Sequence, residues 1–292
     1  MFDFRYHVAS LAAVFVALVI GILVGVGVSS NDTLSHSERK LLNEQKAELQ
    51  ARLNAVGAEL NALQDQERAA SAFSSLAYPV VMRDRLKGRR IGVVFVGPSD
   101  SRLSGLVQGT LTDSGGLSTR YRAIKVPVDP DAIEKALAGH PALAAKYDGP
   151  AGLEALGKEL GKELVRGGQA PLWGPLANLL VVERVGGTRA PLDGVVLVRT
   201  APAQHGPTVG FLHGFYSGLG SAGAPLVGVE TSGTTDSAMP VFRQLGISTV
   251  DDLQTPAGRL ALAALLAGAP PGHYGLDQTN DSGVVPPLAA GG

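Results

Sequence analysis

VASLAAVFVALVIGILVGVGV, residues 8–28, holds no charged side chain, no proline and a single hydroxyl, Ser10. As a helix rising about 1.5 Å per residue, such a run spans roughly 31 Å, the thickness of a bilayer's hydrocarbon core. A single segment crosses lipid only as a helix, because every backbone N–H and C=O must be satisfied within it. Core helices of soluble domains rarely run so long without a polar face, so residues 8–28 predict a transmembrane helix. The flanks favour an uncleaved anchor over a cleaved signal peptide. Residues 1–7, MFDFRYH, pair one Arg with one Asp instead of forming a basic n-region, and no A-x-A site follows the run. Arg5 and the short N-terminus favour an N-inside orientation, with nearly all of the chain extracytoplasmic. Ala9, Ala13, Ala17, Gly21 and Gly25 fall every four residues and draw a ridge of small side chains, a surface on which two helices approach closely in lipid.

Outward from this run, residues 31–70 read as a polar helix. Leu42, Leu49, Val56 and Leu63 recur every seven residues, Leu53 and Leu60 sit four after two of them, and Lys46 is the polar member of the seam. A lone amphipathic helix shows a wider apolar stripe. The narrow seam predicts a coiled coil and a parallel homodimer, with Gly21 and Gly25 continuing the contact into lipid. Residues 71–89 read as a basic linker in which Pro79 ends the helix, and Arg83, Arg85, Lys87, Arg89 and Arg90 crowd ahead of the first strand.

From residue 90 to 276 the pattern alternates. IGVVFV, residues 91–96, is a continuous apolar run closed by Gly97-Pro98, the mark of a strand buried on both faces. Further strands are expected at 120–126, 195–198 and 226–229, and helices at 101–112, 129–138, 152–165, 208–219, 237–245 and 256–267; residues 176–183 are ambiguous. Strands separated by helices imply an α/β domain with a mainly parallel sheet, Rossmann-like or flavodoxin-like. Residues 277–292 read as a flexible tail.

Composition narrows the function. With 292 residues, 45% of them hydrophobic, the chain buries a real core, and a net charge of −1 argues against a nucleic-acid partner. There is no Cys, which removes disulfides, thiolate metal sites and Cys nucleophiles together. The six His are never three or four residues apart, and there are only three Met, so no local set of copper ligands exists and no metal residue is assigned. Gly218-Leu-Gly220-Ser-Ala-Gly223 matches G-x-G-x-x-G, but it follows a helix and precedes a strand, the reverse of a dinucleotide site, and reads as a helix end and turn. The densest polar cluster spans Glu230, Thr231, Ser232 and Asp236 at the expected C-terminal end of a strand, where open α/β sheets bind ligands. Asp100, after the first strand, falls at the same edge. Turn and capping chemistry is the plainer reading of these residues; a partner or ligand edge is the functional one. No catalytic residue is assigned, and the chain is expected not to be an enzyme.

Arg5-x-His7-x-x-Ser10-Leu-Ala-Ala-Val-Phe15-x-Ala-Leu-x-Ile20-Gly21, and Ile247-Ser-Thr-Val-Asp-Asp252 with Gly258-Arg259 and Tyr274-Gly275 beyond, resemble the actinobacterial MctB family. The resemblance covers the whole architecture and is sharp at these two ends. It implies a cell-envelope protein of copper homeostasis or transport, in a family once described as channel-forming in the outer membrane; copper as a cofactor rests on the resemblance alone. A relative in the family, SteB, is associated with cell separation and cell-wall hydrolase control through SteA, which implies a SteA-like partner. The residues disagree with a pore. One helix cannot form one, and a transmembrane barrel needs many alternating strands with aromatic girdles, whereas aromatics here are 5%. Two readings stay open: a copper-homeostasis or transport protein, and a non-enzymatic dimeric scaffold.

Overall fold

The computed structural model describes residues 4–28, 36–147, 149–187, 189–277 and 281–288, with side chains over 10–25 and from residue 40 onward. It divides into two units, Met1–Ala70 and Ser71–Gly292.

In the first unit, α1 spans Phe4–Val28. Leu11, Val14, Phe15, Leu18, Ile22 and Val24 are all exposed along it. Helix is present over the expected stretch, but among the described residues no helix is long and apolar enough to cross a membrane. The expected span, 8–28, runs past the described side chains at both ends, and Ala9 lies outside them. Nothing lies within 4 Å of a Cβ built at Gly21 or Gly25, so that face stands open. Helix α2 spans His36–Met82. Its seam residues Leu49, Leu53, Val56, Leu60 and Leu63 are 49–56% exposed, and Leu42 is half-buried.

The expected helix end at Pro79 needs correcting, because Pro79 lies inside α2 and residues 71–82 are helix, not linker. An interior proline costs about 3 kcal/mol. Burying a methionine side chain contributes roughly 1.5–3 kcal/mol, and Met82 is fully buried. Half-buried Tyr78 packs against the same core and donates to Asp113 at 2.9 Å, so tertiary contacts hold the last turn. The basic cluster beyond is tied into the domain. Arg89 donates to the carbonyls of Leu266 and Ala267 at 3.2 Å each, and Arg90 pairs with Asp193 at 3.2 Å.

In the second unit, the strands are β1 Arg90–Val96, β2 Leu117–Ile124, β3 Val181–Val185, β4 Gly194–Arg199, β5 Leu226–Val229, β6 Ser248–Val250 and β7 His273–Tyr274. They form one sheet in the order β3-β2-β1-β4-β5-β6-β7. This is the doubly wound order of a Rossmann-like sheet with one more strand, parallel throughout except that β3 runs antiparallel to β2. The remaining helices are α3 Ser101–Asp113, α4 Pro130–Leu137, α5 Pro141–Lys146, α6 Gly149–Arg166, α7 Trp173–Leu180, α8 Pro207–Gly220, α9 Met239–Gln244 and α10 Pro256–Ala267. Side chains of β1 alternate between two cores. Val94 and Val96 join α4, α6, α7, α8 and α9, while Ile91, Val93 and Phe95 join α3, α10 and Met82. A strand covered on both faces needs no polar residue, which is why IGVVFV has none.

Two glycine pairs lock α6 to α8. A Cβ on Gly214 would sit 1.9 Å from the Glu154 carbonyl oxygen, and one on Gly157 would sit 2.2 Å from that of Phe211. The ambiguous 176–183 stretch resolves into the end of α7 and the edge strand β3. Of the expected tail, 277–292, residues 278–280 and 289–292 lie outside the described residues. Residues 281–288 are described, Ser282 accepts from the His273 N–H at 3.0 Å, and the Gly275 N–H donates to the Gly283 carbonyl at 3.1 Å.

Candidate functional site

The C-terminal ends of the parallel strands form the candidate site. Strand order reverses between β1 and β4, where a doubly wound sheet opens a ligand crevice. Here the crevice is closed by its own loops. The N–H groups of Thr200 and Ala201 both donate to the Val96 carbonyl at 3.0 Å, and the Thr200 hydroxyl donates to the Pro98 carbonyl at 2.6 Å. Gly97, at φ +106, brings the backbones so close that a Cβ would lie 2.6 Å from the Ala201 nitrogen. The α3 N-terminus, where a phosphate would dock, is occupied by the Asp100 carboxylate, which accepts from the Leu103 N–H at 2.7 Å. Asp100 is therefore a cap, and it shares no hydrogen bond with the 230–238 loop.

That loop gathers the other four expected residues, and each is used locally. Glu230 accepts from the Ser237 hydroxyl at 2.6 Å and the Ala238 N–H at 3.2 Å. Burial pushes its carboxyl above the usual carboxylate range, against the effect of those two donors. The Thr231 carbonyl accepts from the Thr234 hydroxyl at 2.7 Å, and the Ser232 N–H donates to Gln254 at 3.2 Å. Asp236 pairs with Arg199 at 3.0 Å and accepts from the Ala203 N–H at 2.8 Å, tying the loops after β4 and β5 together. Arg199 was legible only as a charge closing an otherwise apolar strand, GVVLVR.

The C-terminal residues that carry the family resemblance converge here. Asp251 accepts from the N–H groups of Leu276 at 3.0 Å and Asp277 at 3.3 Å, pinning the chain after β7. Asp252 accepts from the Thr255 hydroxyl at 2.8 Å, and Thr255 caps α10 through the Gly258 N–H at 2.9 Å. The guanidinium of Arg259 lies 6.0 Å from the centre of the Tyr78 ring. These residues form a clasp between β6, α10, β7 and the last turn of α2.

Asp252 is fully buried, and its Oδ1 has no partner among the described residues. Burial pushes its carboxyl up, partly offset by Thr255 and reinforced by Asp251. A carboxyl raised in the folded state stabilises fully below the ordinary carboxylate pKa of about 4, and that contribution is lost as pH rises through the raised folded value. Asp252→Asn removes the titration. The melting temperature of the unmodified chain, minus that of the variant, is expected to fall as pH is raised from ~pH 4. Parallel melting curves with rising pH would show that Asp252 is ionised throughout.

Among the described residues, no group of three or more His, Cys, Asp or Glu is placed to hold a metal ion. His213 pairs with Glu154 at 2.7 Å, and His273 lies 3.0 Å from the Thr249 hydroxyl.

Comparison with known proteins gives one family and a set of mycobacterial relatives. Proteins named "Copper transporter MctB" from Mycobacterium bovis and Mycobacterium tuberculosis are 28% identical to this chain over 129 residues, 41% of this chain and 39% of theirs. The matched stretch thus spans about two fifths of the relatives' own length. The family profile described as "Copper transport outer membrane protein, MctB" matches residues 1–286. A match running from the apolar α1 through the clasp and past β7 places this chain in the MctB family.

Proposed function

We propose that this chain is a single-pass, membrane-anchored protein of the cell envelope that serves copper homeostasis, with α1 as its anchor, a cytoplasmic N-terminus and the α/β domain outside. The match of the copper-transport family profile across residues 1–286 carries this reading. The anchor is supported by residues 8–28, which hold no charge, and by the exposed apolar side chains along α1. The domain acts as a non-enzymatic scaffold in this account. Its switch-point crevice is closed by the Thr200 staple, and its edge carboxylates serve caps and loop ties.

A second reading is favoured by the open heptad seam of α2. In it the chain is a parallel homodimer that holds a SteA-like partner in cell separation and in the control of cell-wall hydrolysis. One experiment separates the two. A deletion strain is complemented with the full chain and with a chain lacking residues 8–28. Loss of copper tolerance, restored only by the anchored chain, is the expected result. Normal copper tolerance with unseparated daughter cells would replace the first reading by the second. Full complementation without residues 8–28 would remove the anchor from both.

A further inference from the structure

Between α8 and α9, against the end of β4, lies a cavity of about 360 Å³ lined in part by Arg199, Leu212, Tyr216, Val241, Phe242 and Gln244. Its walls are mostly apolar, and two buried polar groups in it are incompletely used. Tyr216 is 3% exposed, with its ring edge-on to Phe242 at 5.5 Å. Its hydroxyl makes no hydrogen bond among the described residues. The residue is buried, but its hydroxyl is not one of the water-inaccessible polar atoms left without a partner, so it opens onto the cavity. Burial raises its pKa, so at neutral pH it stays protonated and able to donate. The Arg199 side chain is 8% exposed. Among the described residues only its Nη2 is engaged, on the carbonyl and carboxylate of Asp236, and its Nε is buried without an acceptor.

We propose that this cavity binds a small organic acid with an apolar body. One carboxylate oxygen accepts from the Tyr216 hydroxyl, and the charge lies beside the Arg199 guanidinium. Arginine has donors only, so it disfavours a cationic ligand and favours an anion. The remaining walls, Leu212, Val241 and Phe242, cover the ligand's apolar part. The volume lies near the lower end of small-molecule pockets, roughly 300–1,000 Å³, which limits the ligand to a compact acid. The site needs neither the anchor nor the dimer, so it stands or falls independently of the function proposed above.

Benzoate is the probe, with benzyl alcohol as its uncharged counterpart, titrated calorimetrically into the full-length chain in detergent. Benzoate is expected to bind saturably, once per chain, and more tightly than benzyl alcohol. Tyr216→Phe keeps the ring against Phe242 and removes only the unpaired hydroxyl, so the variant is expected to melt no lower than the parent. Its benzoate affinity should drop about tenfold or more, the effect of a hydrogen bond to a charged group. Val241→Trp fills the cavity and should abolish binding. Absence of saturable benzoate binding overturns the proposal. So does equal affinity in the parent, Tyr216→Phe and Val241→Trp, which would place the binding elsewhere.

Discussion

Replacing Leu53 and Leu60 together by Asp is expected to break the proposed dimer of the full-length chain into monomers. The two residues alternate with Leu49, Val56 and Leu63 along one face of α2, and all five are about half exposed in the single chain. Side chains of this size left in water along a narrow seam find cover where a second helix interlocks with them. Losing one buried leucine at such a seam costs about 2–5 kcal/mol. An Asp in its place also puts a carboxylate opposite its copy in the partner, where neither has a counter-charge, and desolvation adds several kcal/mol more. Every 1.4 kcal/mol is about tenfold in Kd, so two substitutions per chain should weaken dimerisation by at least about ten-thousandfold. Sedimentation in detergent reads the result directly. The helix itself should persist, since Glu48 and Arg52, paired at 2.6 Å, and Asp65 and Arg68, paired at 3.1 Å, lie off the seam. A parent chain that already sediments as a monomer would end the coiled-coil proposal.

What the sequence revealed follows from how local each signal is. Runs with a full period were readable. Leu226–Val229 and Pro256–Ala267 fall where patterning puts them, and IGVVFV lacks only Arg90. Elements without a full period were not. β6 has three residues and β7 has two, and both exist because backbone ladders to β5 and the Asp251 clasp hold them. Pro79 misled because local propensity was outweighed by the burial of Met82 together with the packing and hydrogen bond of Tyr78, contacts invisible along the chain. Arg120 and Arg122 were read as ordinary strand residues, yet they are 2% and 6% exposed. They donate to backbone carbonyls of Ala190, Gly187, Val185 and Gly186 rather than to any carboxylate. Burial lowers the Arg120 pKa to about 10, with Arg122 pushing the same way. At the candidate edge, the plainer reading of Asp100 and Glu230 describes their contacts. The cavity beside Arg199 has no sequence signature because its walls come from β4, α8 and α9.

Gly214→Val is expected to be the most damaging single substitution in the α/β domain. Gly214 falls inside the expected helix 208–219, upstream of the Gly218–Gly223 string that reads as that helix's end and turn. Gly214 and Gly218 face α6, and ideal Cβ atoms there would lie 1.9 Å from the Glu154 oxygen and 2.0 Å from the Lys158 oxygen. Gly157 and Gly161 return the contact at 2.2 Å and 2.4 Å from the oxygens of Phe211 and Phe215. These are backbone atoms inside two helices, so no side chain can rotate away, and the helices themselves must separate. Separation would open the core that Leu156, Leu160, Phe211 and Phe215 share. Overpacking of this kind costs about 1–3 kcal/mol where the surroundings can yield, and more where they cannot. A loss of at least 3 kcal/mol in a domain of this size lowers Tm by roughly 6–12 °C or more. Gly210 lies on the same helix with nothing within 4 Å of its Cβ position. Gly210→Ala therefore trades backbone freedom for helix propensity without a clash and should raise stability by up to about 1 kcal/mol. Opposite shifts in Tm, four residues apart on one helix, would mark steric contact with α6 as the cause. A Gly214→Val chain that melts with the parent would show that α6 and α8 are not packed backbone to backbone.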